Sequence, residues 1–175
     1  ENFSSRLSAA SNGICLLELA NFSLNENQLR KLSKKLQLLK NDKKDLSPLK
    51  DLNIGLISNA TTQLVTPTLI GTALRFGIAL DVVEAEYNQV AQEAFSTQSA
   101  FSGHKLDAIL VAIDFHGLPF TPCPGKKELA EENLQNCFSY IKSIVDSLRS
   151  KTNAQIILQN FAAPSERIFG SYEAR

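Results

Sequence analysis

Side chains that could bind a ligand or take part in catalysis follow four apolar segments of the sequence. They fall into four groups: Ser58, Asn59, Ala60, Thr61 and Thr62; Glu86, Tyr87 and Asn88; Asp114, Phe115 and His116; and Gln159 and Asn160. If the apolar segments are parallel strands, their carboxyl ends meet at one edge of the sheet, where open α/β folds bind ligands. We therefore expect a pocket there, although the same pattern also arises at any solvated sheet edge.

The pocket is predicted from eight of these residues, of which three are candidates for a catalytic role. The pocket residues are Ser58, Asn59, Ala60, Thr61, Asn88, Asp114, Gln159 and Asn160, and the catalytic candidates are Ser58, Thr61 and Asp114. Asp114 ends a very apolar segment, so its side chain should reach the sheet edge beside the SNATT segment at 58–62. We expect it to accept hydrogen bonds from Ser58, Asn59 or Thr61. Such bonds would lower its pKa, whereas desolvation would raise it.

Common cofactor and metal motifs are missing from this set. The SNATT segment has neither the glycines of a dinucleotide fingerprint nor the lysine of a phosphate-binding loop. Asp114 stands where a receiver domain has its aspartate, but no acidic pair follows the first strand to hold magnesium. A phosphatase motif would need a second aspartate two residues after Asp114. His104 and His116 have no partner at metal-ligand spacing, so we predict no metal site and no cofactor in this chain.

The cysteines give little evidence of chemistry. Cys15, Cys123 and Cys137 are odd in number and show no C-x-x-C spacing. This pattern argues against a disulfide framework and against a zinc site. Structural roles are favoured for Cys123 and Cys137, because no base is recognisable near either of them in the sequence.

Segments with strand character alternate with helical segments after residue 51. The predicted strands are 53–58, 78–85, 107–114 and 154–160, the predicted helices are 67–76, 88–95 and 126–150, and the proline-rich segment 117–125 is a predicted loop. Thr66 is predicted to cap the first of these helices, and Gly77 to end it. Strands separated by helices indicate a parallel sheet, and the apolar first strand is expected at its centre, in the order 2-1-3-4. Four strands are few for such a sheet, so we expect the domain to continue, with a further strand, beyond Arg175.

Residues 1–50 are predicted to form a helical extension and residues 51–175 the α/β domain. Residues 26–50 carry eight basic and three acidic side chains, a local net charge of 8 − 3 = +5. Four leucines at helical spacing (Leu29, Leu32, Leu36 and Leu39) predict an amphipathic helix, with Ser23 or Asn25 at its start. We expect this stripe to pack onto the domain, because an isolated helix of this length is marginal in water. The lysines form either a solvated face or a surface for an acidic partner protein.

Composition excludes several classes of protein. Lys+Arg and Asp+Glu are both 18 of 175 residues, so the net charge is zero, and a general nucleic-acid binder would show a basic excess. No apolar run approaches the roughly 20 residues that a membrane span needs. No secretory leader pattern opens the chain. We therefore expect neither nucleic-acid nor membrane partners, and a cytoplasmic location.

Several strings resemble one family in combination. They are LANFSL at 19–24, LISNATTQLV at 56–65, RFGIALDVVEAEYNQVAQEAF at 75–95, LDAILVAIDFHGLP at 106–119 and ILQNFAAPSERIFGSYEAR at 157–175. Over about 19–175 the chain resembles the N-terminal domain of FkbH-like proteins, subfamily IIIC of the haloacid dehalogenase superfamily. In that family this domain is similar to SGNH hydrolases, so the resemblance implies a three-layer, flavodoxin-like α/β fold. It also implies a following phosphatase-like domain, and relatives that load a phosphoglyceryl-derived unit onto an acyl carrier protein in polyketide pathways.

The catalytic residues of the SGNH motifs are mostly replaced at the matching positions of this sequence. Aligning their first block on Thr62 places Ser58 at its glycine, Asn59 at its aspartate and Ala60 at its nucleophilic serine. A shift of one or two residues would let Ser58 or Thr61 serve as the nucleophile. In the second and third SGNH blocks, a glycine and an asparagine donate hydrogen bonds to the oxyanion. Asn88 would stand at that glycine and Asp114 at that asparagine. An ionised carboxylate cannot donate a hydrogen bond to an oxyanion, and the Asp-x-x-His block would fall beyond Arg175.

The resemblance therefore implies an auxiliary domain that is not itself catalytic. It would support transfer of a phosphoglyceryl-derived or other acyl unit to an acyl carrier protein in secondary-metabolite biosynthesis. Its partners would be the acyl carrier protein or other domains of a phosphatase or acyl-transferase enzyme. The alternative is a stand-alone ester hydrolase or acyl transferase that uses Ser58 or a cysteine such as Cys137.

Overall fold

The fold is a parallel sheet with helices on both faces. The computed structural model describes residues 2–121, 123 and 125–161. The helices are α1 (Phe3–Ala9), α2 (Gly13–Ala20), α3 (Glu26–Asn41), α4 (Val65–Ala73), α5 (Val90–Phe95) and α6 (Lys127–Lys151), with 3-10 turns at Leu74–Phe76 and Phe115–Gly117. The strands are β1 (Lys50–Ser58), β2 (Ile78–Glu84), β3 (Ala108–Ala112) and β4 (Gln155–Leu158).

The strand order β2-β1-β3-β4, all parallel, confirms the predicted topology. β1 is central because its second half is apolar and buried on both faces, as expected of a strand between two helical layers. Ile54 pairs with Val82 on one side and Ala108 on the other. The carboxyl ends of β1, β2 and β3 therefore lie side by side, and the loops after them share one edge of the sheet.

Two hydrophobic clusters fill the space between the three layers. One joins the N-terminal helices to the sheet through Leu16, Leu32, Leu36, Ile54 and Leu80. The other lies beneath α5 and α6 and contains Ile57, Ile109, Val111, Ile144 and Leu148. Ile54 and Ile57 face opposite sides because side chains alternate along a strand. The α/β class and the three layers predicted from the sequence are confirmed.

The leucine stripe packs onto the domain as predicted. Leu32, Leu36 and Leu39 are buried and Leu29 is half-buried. Asn25 caps α3 in a reciprocal capping box with Gln28, which selects Asn25 over the alternative Ser23. α3 can approach α4 closely because Gly71 has no side chain: a Cβ there would lie 2.5 Å from the carbonyl oxygen of Leu29.

Some predicted boundaries differ from the structure. β1 begins at Lys50 rather than Asn53, because the Lys50 N–H donates to Gly77 O and the strand pairs with β2 from there. Thr66 does not cap α4, so that prediction is wrong: the helix begins at Val65, and the Thr66 N–H is already bonded to Thr62 O at 2.9 Å. Gly77 ends the following 3-10 turn in the left-handed conformation, as predicted.

Other predicted segments are partly outside the described residues. The predicted loop 117–125 includes Pro122 and Pro124, and the last family string runs through 162–175; these positions lie outside the described part of the chain. Within that part, none of the helices combines the length and apolar character that crossing a bilayer requires.

Candidate functional site

The SNATT segment borders a cavity of about 250 Å³ between the carboxyl ends of β1 and β2. The lining residues are Leu56, Ser58, Ala60, Thr61, Thr62, Gln63, Glu84, Ala85, Glu86 and Tyr87. The cavity is smaller than typical small-molecule pockets, which hold about 300–1,000 Å³. It is hereafter the carboxyl-edge cavity, and it contains three of the predicted pocket residues: Ser58, Ala60 and Thr61.

Ser58 is enclosed in the turn that follows β1. The residue is only 7% exposed, and its Oγ accepts a hydrogen bond from the Ala60 N–H at 3.0 Å. Among the described residues, no hydrogen bond joins this hydroxyl to a histidine or a carboxylate. The hydroxyl therefore holds the turn, and it lacks the adjacent general base that activates a serine nucleophile.

Asn88 stands in the left-handed conformation, with φ of 56°. Its N–H donates to the carbonyl oxygen of Ser58 at 3.3 Å. An oxyanion hole needs backbone N–H groups that are free to meet the substrate oxygen. In this structure the N–H of Asn88 instead ties the end of β1 to the loop after β2.

Carboxylates dominate the charge of the carboxyl-edge cavity. Glu84 and Glu86 both line it, and Thr62 Oγ1 donates to Glu84 Oε2 at 3.0 Å. Its described lining contains no lysine, arginine or histidine. Such a surface repels phosphate and carboxylate groups and accepts neutral or cationic ones.

Asn59 turns away from this cavity toward the end of β3. Its Nδ2 donates to Asp114 Oδ1 at 2.5 Å, and its Oδ1 accepts from the Asp114 N–H at 3.0 Å. The His116 N–H also donates to Asp114 Oδ1 at 2.9 Å. The predicted hydrogen bond between Asp114 and the SNATT segment is confirmed, with Asn59 as the donor.

These contacts set the ionisation of Asp114. The side-chain hydrogen bond from Asn59 is the main cause that lowers the pKa of Asp114 below its ordinary value of 3.8, and it outweighs the opposing effect of burial. Gly117 completes the packing, because a Cβ at that position would lie 2.9 Å from Asn59 Cγ. The carboxylate is thus held charged between two loops.

Gln159 and Asn160 lie farther along the sheet. They follow β4, which pairs with β3 and not with β1, and the Gln159 N–H donates to Val111 O at 3.1 Å. Neither residue lines the carboxyl-edge cavity. Neighbouring strands are about 4.8 Å apart, so β3 separates these two residues from the SNATT segment. The predicted pocket residues therefore lie at three places along the edge.

The remaining candidates for nucleophile, base or metal ligand are dispersed. Cys137 is buried in α6, and Cys123 Sγ accepts a hydrogen bond from Asn133 Nδ2 at 3.3 Å. His104 precedes β3 and so lies at the opposite edge of the sheet, whereas the His116 ring stacks on Phe115. Across residues 2–121, 123 and 125–161, no three histidine, cysteine or acidic side chains gather as a metal site would require.

Sequence reasoning missed Glu84, which it placed inside the second strand. The strand was predicted to run to Ala85, but it ends at Glu84. The available signal was the pair Glu84 and Glu86 at a spacing of two. This spacing puts both side chains on one face where a strand ends.

Comparisons with known proteins agree with the geometry of the sheet. A family model described as "FkbH, N-terminal domain" matches residues 53–175. No curated protein matches the chain. A similar solved structure is the N-terminal part of the protein BF1531 from Bacteroides fragilis, described as containing a phosphatase domain complexed with Mg, with 18% identity and a TM-score of 0.63. The match covers 86% of this chain and 37% of that one, and it shows a shared fold alone.

Proposed function

This chain belongs to the family of FkbH N-terminal domains, and on that premise we propose that it is an auxiliary domain without catalytic activity of its own. It supports the loading of a phosphoglyceryl-derived or other acyl unit onto an acyl carrier protein. The phosphatase or acyl-transferase chemistry belongs to other domains of an FkbH-like enzyme of the haloacid dehalogenase superfamily, and this domain is SGNH-like.

The observation that carries the proposal is the state of Ser58. Its hydroxyl is buried and accepts a hydrogen bond within its own turn. Nucleophilic catalysis by serine needs a base within hydrogen-bond reach and donors for the oxyanion. Among the described residues no histidine or carboxylate is hydrogen-bonded to Ser58 Oγ. The two predicted oxyanion positions also provide no donor, since the Asn88 N–H is bonded to Ser58 O and the Asp114 carboxylate accepts hydrogen bonds.

The charge of the carboxyl-edge cavity supports the same assignment. Glu84 and Glu86 would repel the phosphate of a phosphoglyceryl unit. The domain therefore does not hold the charged end of the substrate in this cavity. Its contribution is to position the carrier protein for the rest of the enzyme.

α3 supplies a surface suited to an acidic carrier. Lys31, Lys34 and Leu38 are exposed on one helical face, and Lys43 and Lys44 are exposed just beyond its end. We name this set the basic face of α3. Lys40 is not part of it, because its Nζ bonds Asp81 Oδ2 at 2.5 Å. Exposed lysines around an apolar side chain can steer an acidic partner and then contact it directly.

A binding titration tests whether the basic face of α3 contacts the acyl carrier protein. Purified acyl carrier protein, in its apo, holo and acylated forms, is titrated into the 175-residue chain at low salt. The double variant Lys31→Glu with Lys34→Glu is expected to weaken binding about tenfold or more, because like charges then face each other. Lys126→Glu with Lys127→Glu, at the start of α6, changes the net charge equally and should leave binding unchanged. Equal effects of the two double variants, or no binding of any form, would overturn the docking assignment.

Ester turnover tests the absence of catalysis separately. With 4-nitrophenyl acetate as substrate, the wild-type chain and Ser58→Ala, Thr61→Ala and Cys137→Ser variants are expected to show the same low rate. Turnover that disappears in one variant alone would establish the alternative, an independent ester hydrolase or acyl transferase. The two assays are independent, so failure of one leaves the other interpretable.

A further inference from the structure

A second cavity, of about 420 Å³, lies at the opposite edge of the sheet, beneath the segment that joins α5 to β3. It is hereafter the amino-edge cavity. Its apolar lining consists of Phe101, Leu106, Ile109 and Leu148, and its polar lining of Glu93, Ser96, Thr97, Ser99, Ser102, His104, Lys151 and Thr152. An apolar floor with a few convergent polar groups is typical of small-molecule sites, and this volume lies within their usual range.

Glu93 is the unusual member of this lining. The residue is only 7% exposed, and the Ala100 N–H donates to its Oε2 at 2.9 Å. Within the described residues no lysine, arginine or histidine forms an ion pair with it. A carboxylate has about four acceptor positions, and a buried charge normally has a charged partner. Glu93 therefore retains unused acceptor capacity where it lines the cavity.

Lys151 lines the same cavity but forms no ion pair with Glu93. Its Nζ donates to Ala94 O and, at 2.7 Å, to Ser96 O, and the residue is exposed at the rim. Water screens an exposed ammonium group more strongly than it screens a buried carboxylate. Lys151 therefore leaves the carboxylate of Glu93 without a direct cationic partner.

The walls are held independently of any ligand. Ser96 Oγ accepts from the Gln98 N–H, Ser99 Oγ from the Phe101 N–H and Ser102 Oγ from the Ser99 N–H. Ser147 Oγ donates to Ala94 O and ties α5 to α6. A preformed cavity loses little conformational entropy when it binds.

From these contacts we propose that the amino-edge cavity binds a small amphipathic amine. The apolar body lies against Phe101, Ile109 and Leu148, and the ammonium group donates to Glu93. An amine suits the site better than an alcohol because it gives Glu93 a direct cationic partner as well as a hydrogen bond. The proposal does not rest on the carrier-loading function, since the two cavities lie at opposite edges of the sheet.

The test uses benzylamine as the probe, with benzoate as a control of similar size and opposite charge. Each is titrated into the isotope-labelled 175-residue chain and followed by amide NMR. Benzylamine is expected to shift the signals of Thr97 and Gly103 but not that of Thr61 in the carboxyl-edge cavity. Benzoate should shift none of them.

Glu93→Gln is the decisive variant, because glutamine keeps the acceptor for the Ala100 N–H and removes only the charge. It should weaken benzylamine binding about tenfold, whereas Glu84→Gln at the other edge should leave it unchanged. Unaltered spectra of the two variants away from the substituted residue show that they are folded. Three outcomes would overturn the proposal: no binding at millimolar benzylamine, equal binding of benzoate, or unchanged binding by Glu93→Gln.

Discussion

Asn59 and Asp114 bind each other through two reciprocal hydrogen bonds across the ends of β1 and β3. The amide of Asn59 donates to the carboxylate of Asp114, and its oxygen accepts from the Asp114 N–H. In the predicted SGNH alignment, Asn59 stands at an aspartate and Asp114 at an asparagine. The amide and the carboxylate are thus exchanged between the two positions. As a result Asp114, a hydrogen-bond acceptor, stands where an SGNH hydrolase needs a donor for the oxyanion.

Loss of this pair should destabilise the protein. Asp114→Ala removes the acceptor of the half-buried Asn59 amide, and a buried donor left unpaired costs about 1–3 kcal/mol. The exposed His116 N–H can bond water instead. Asp42→Ala is the control. It removes an exposed carboxylate whose side chain accepts no hydrogen bond among the described residues, and it should change stability by less than about 0.5 kcal/mol. Urea unfolding of both variants measures the difference. Equal midpoints for Asp114→Ala and the wild type would show that the pair contributes nothing.

The pair should also make stability depend on pH. The folded-state pKa of Asp114 is lowered below 3.8, so its charged form is favoured by folding. Its contribution is fully present above about pH 4 and is lost as the pH falls through the folded-state pKa. The stability difference between the wild type and Asp114→Asn should therefore shrink in acid. The pKa of Asp45 is also lowered, but Asp45 is present in both proteins, so its effect on stability cancels in the comparison. If the stability difference between the wild type and Asp114→Asn grew in acid, folding would raise the pKa of Asp114 rather than lower it.

Two leucines of α3 offer a matched test of the N-terminal packing. Leu36 is fully buried, whereas Leu38 is 58% exposed on the same helix. Leu36→Ala should lower the free energy of unfolding by about 2–5 kcal/mol, because it leaves a cavity in the core. Leu38→Ala should have almost no effect on thermal or urea unfolding. Similar small effects of both changes would mean that α3 does not share the core of the sheet.

Thr66 should be a site where substitution stabilises the protein. Its Oγ1 is buried and, in the described part of the chain, has no hydrogen-bond partner. Thr66→Val removes the buried hydroxyl at nearly constant shape and should raise the free energy of unfolding by about 1 kcal/mol. The control is Thr68→Val, which loses hydrogen bonds to Leu64 O and Val65 O. If differential scanning calorimetry shows Thr66→Val to be the less stable of the two, the hydroxyl has a partner after all.

The topology of the sheet was predicted correctly from local patterns in the sequence. Alternation of apolar strands with helices implies a parallel sheet joined by crossover connections. The 53–58 segment is apolar on both faces, so it was expected at the centre of the sheet. The same reasoning placed Asp114 beside the SNATT segment, because adjacent parallel strands bring their carboxyl ends together. The Asn59 contact is a direct consequence of that order.

Other features depend on tertiary packing that periodicity does not encode. The sequence showed which residues reach the edge but not that β3 would separate Gln159 from Ser58. Thr66 had the residue type of a cap, but the turn at 62–65 started the helix at Val65, two residues before the predicted start at Pro67. Glu93 gave no signal at all, because its burial arises only when the α5–β3 segment folds over α6.

Intact mass spectrometry after incubation with a fluorophosphonate tests the central claim most directly. These reagents form a covalent adduct with a serine only when a base has activated it. We predict that the 175-residue chain remains unmodified, since Ser58 Oγ is buried and bonded to the Ala60 N–H. A stoichiometric adduct that maps to Ser58, and is absent from Ser58→Ala, would contradict the account.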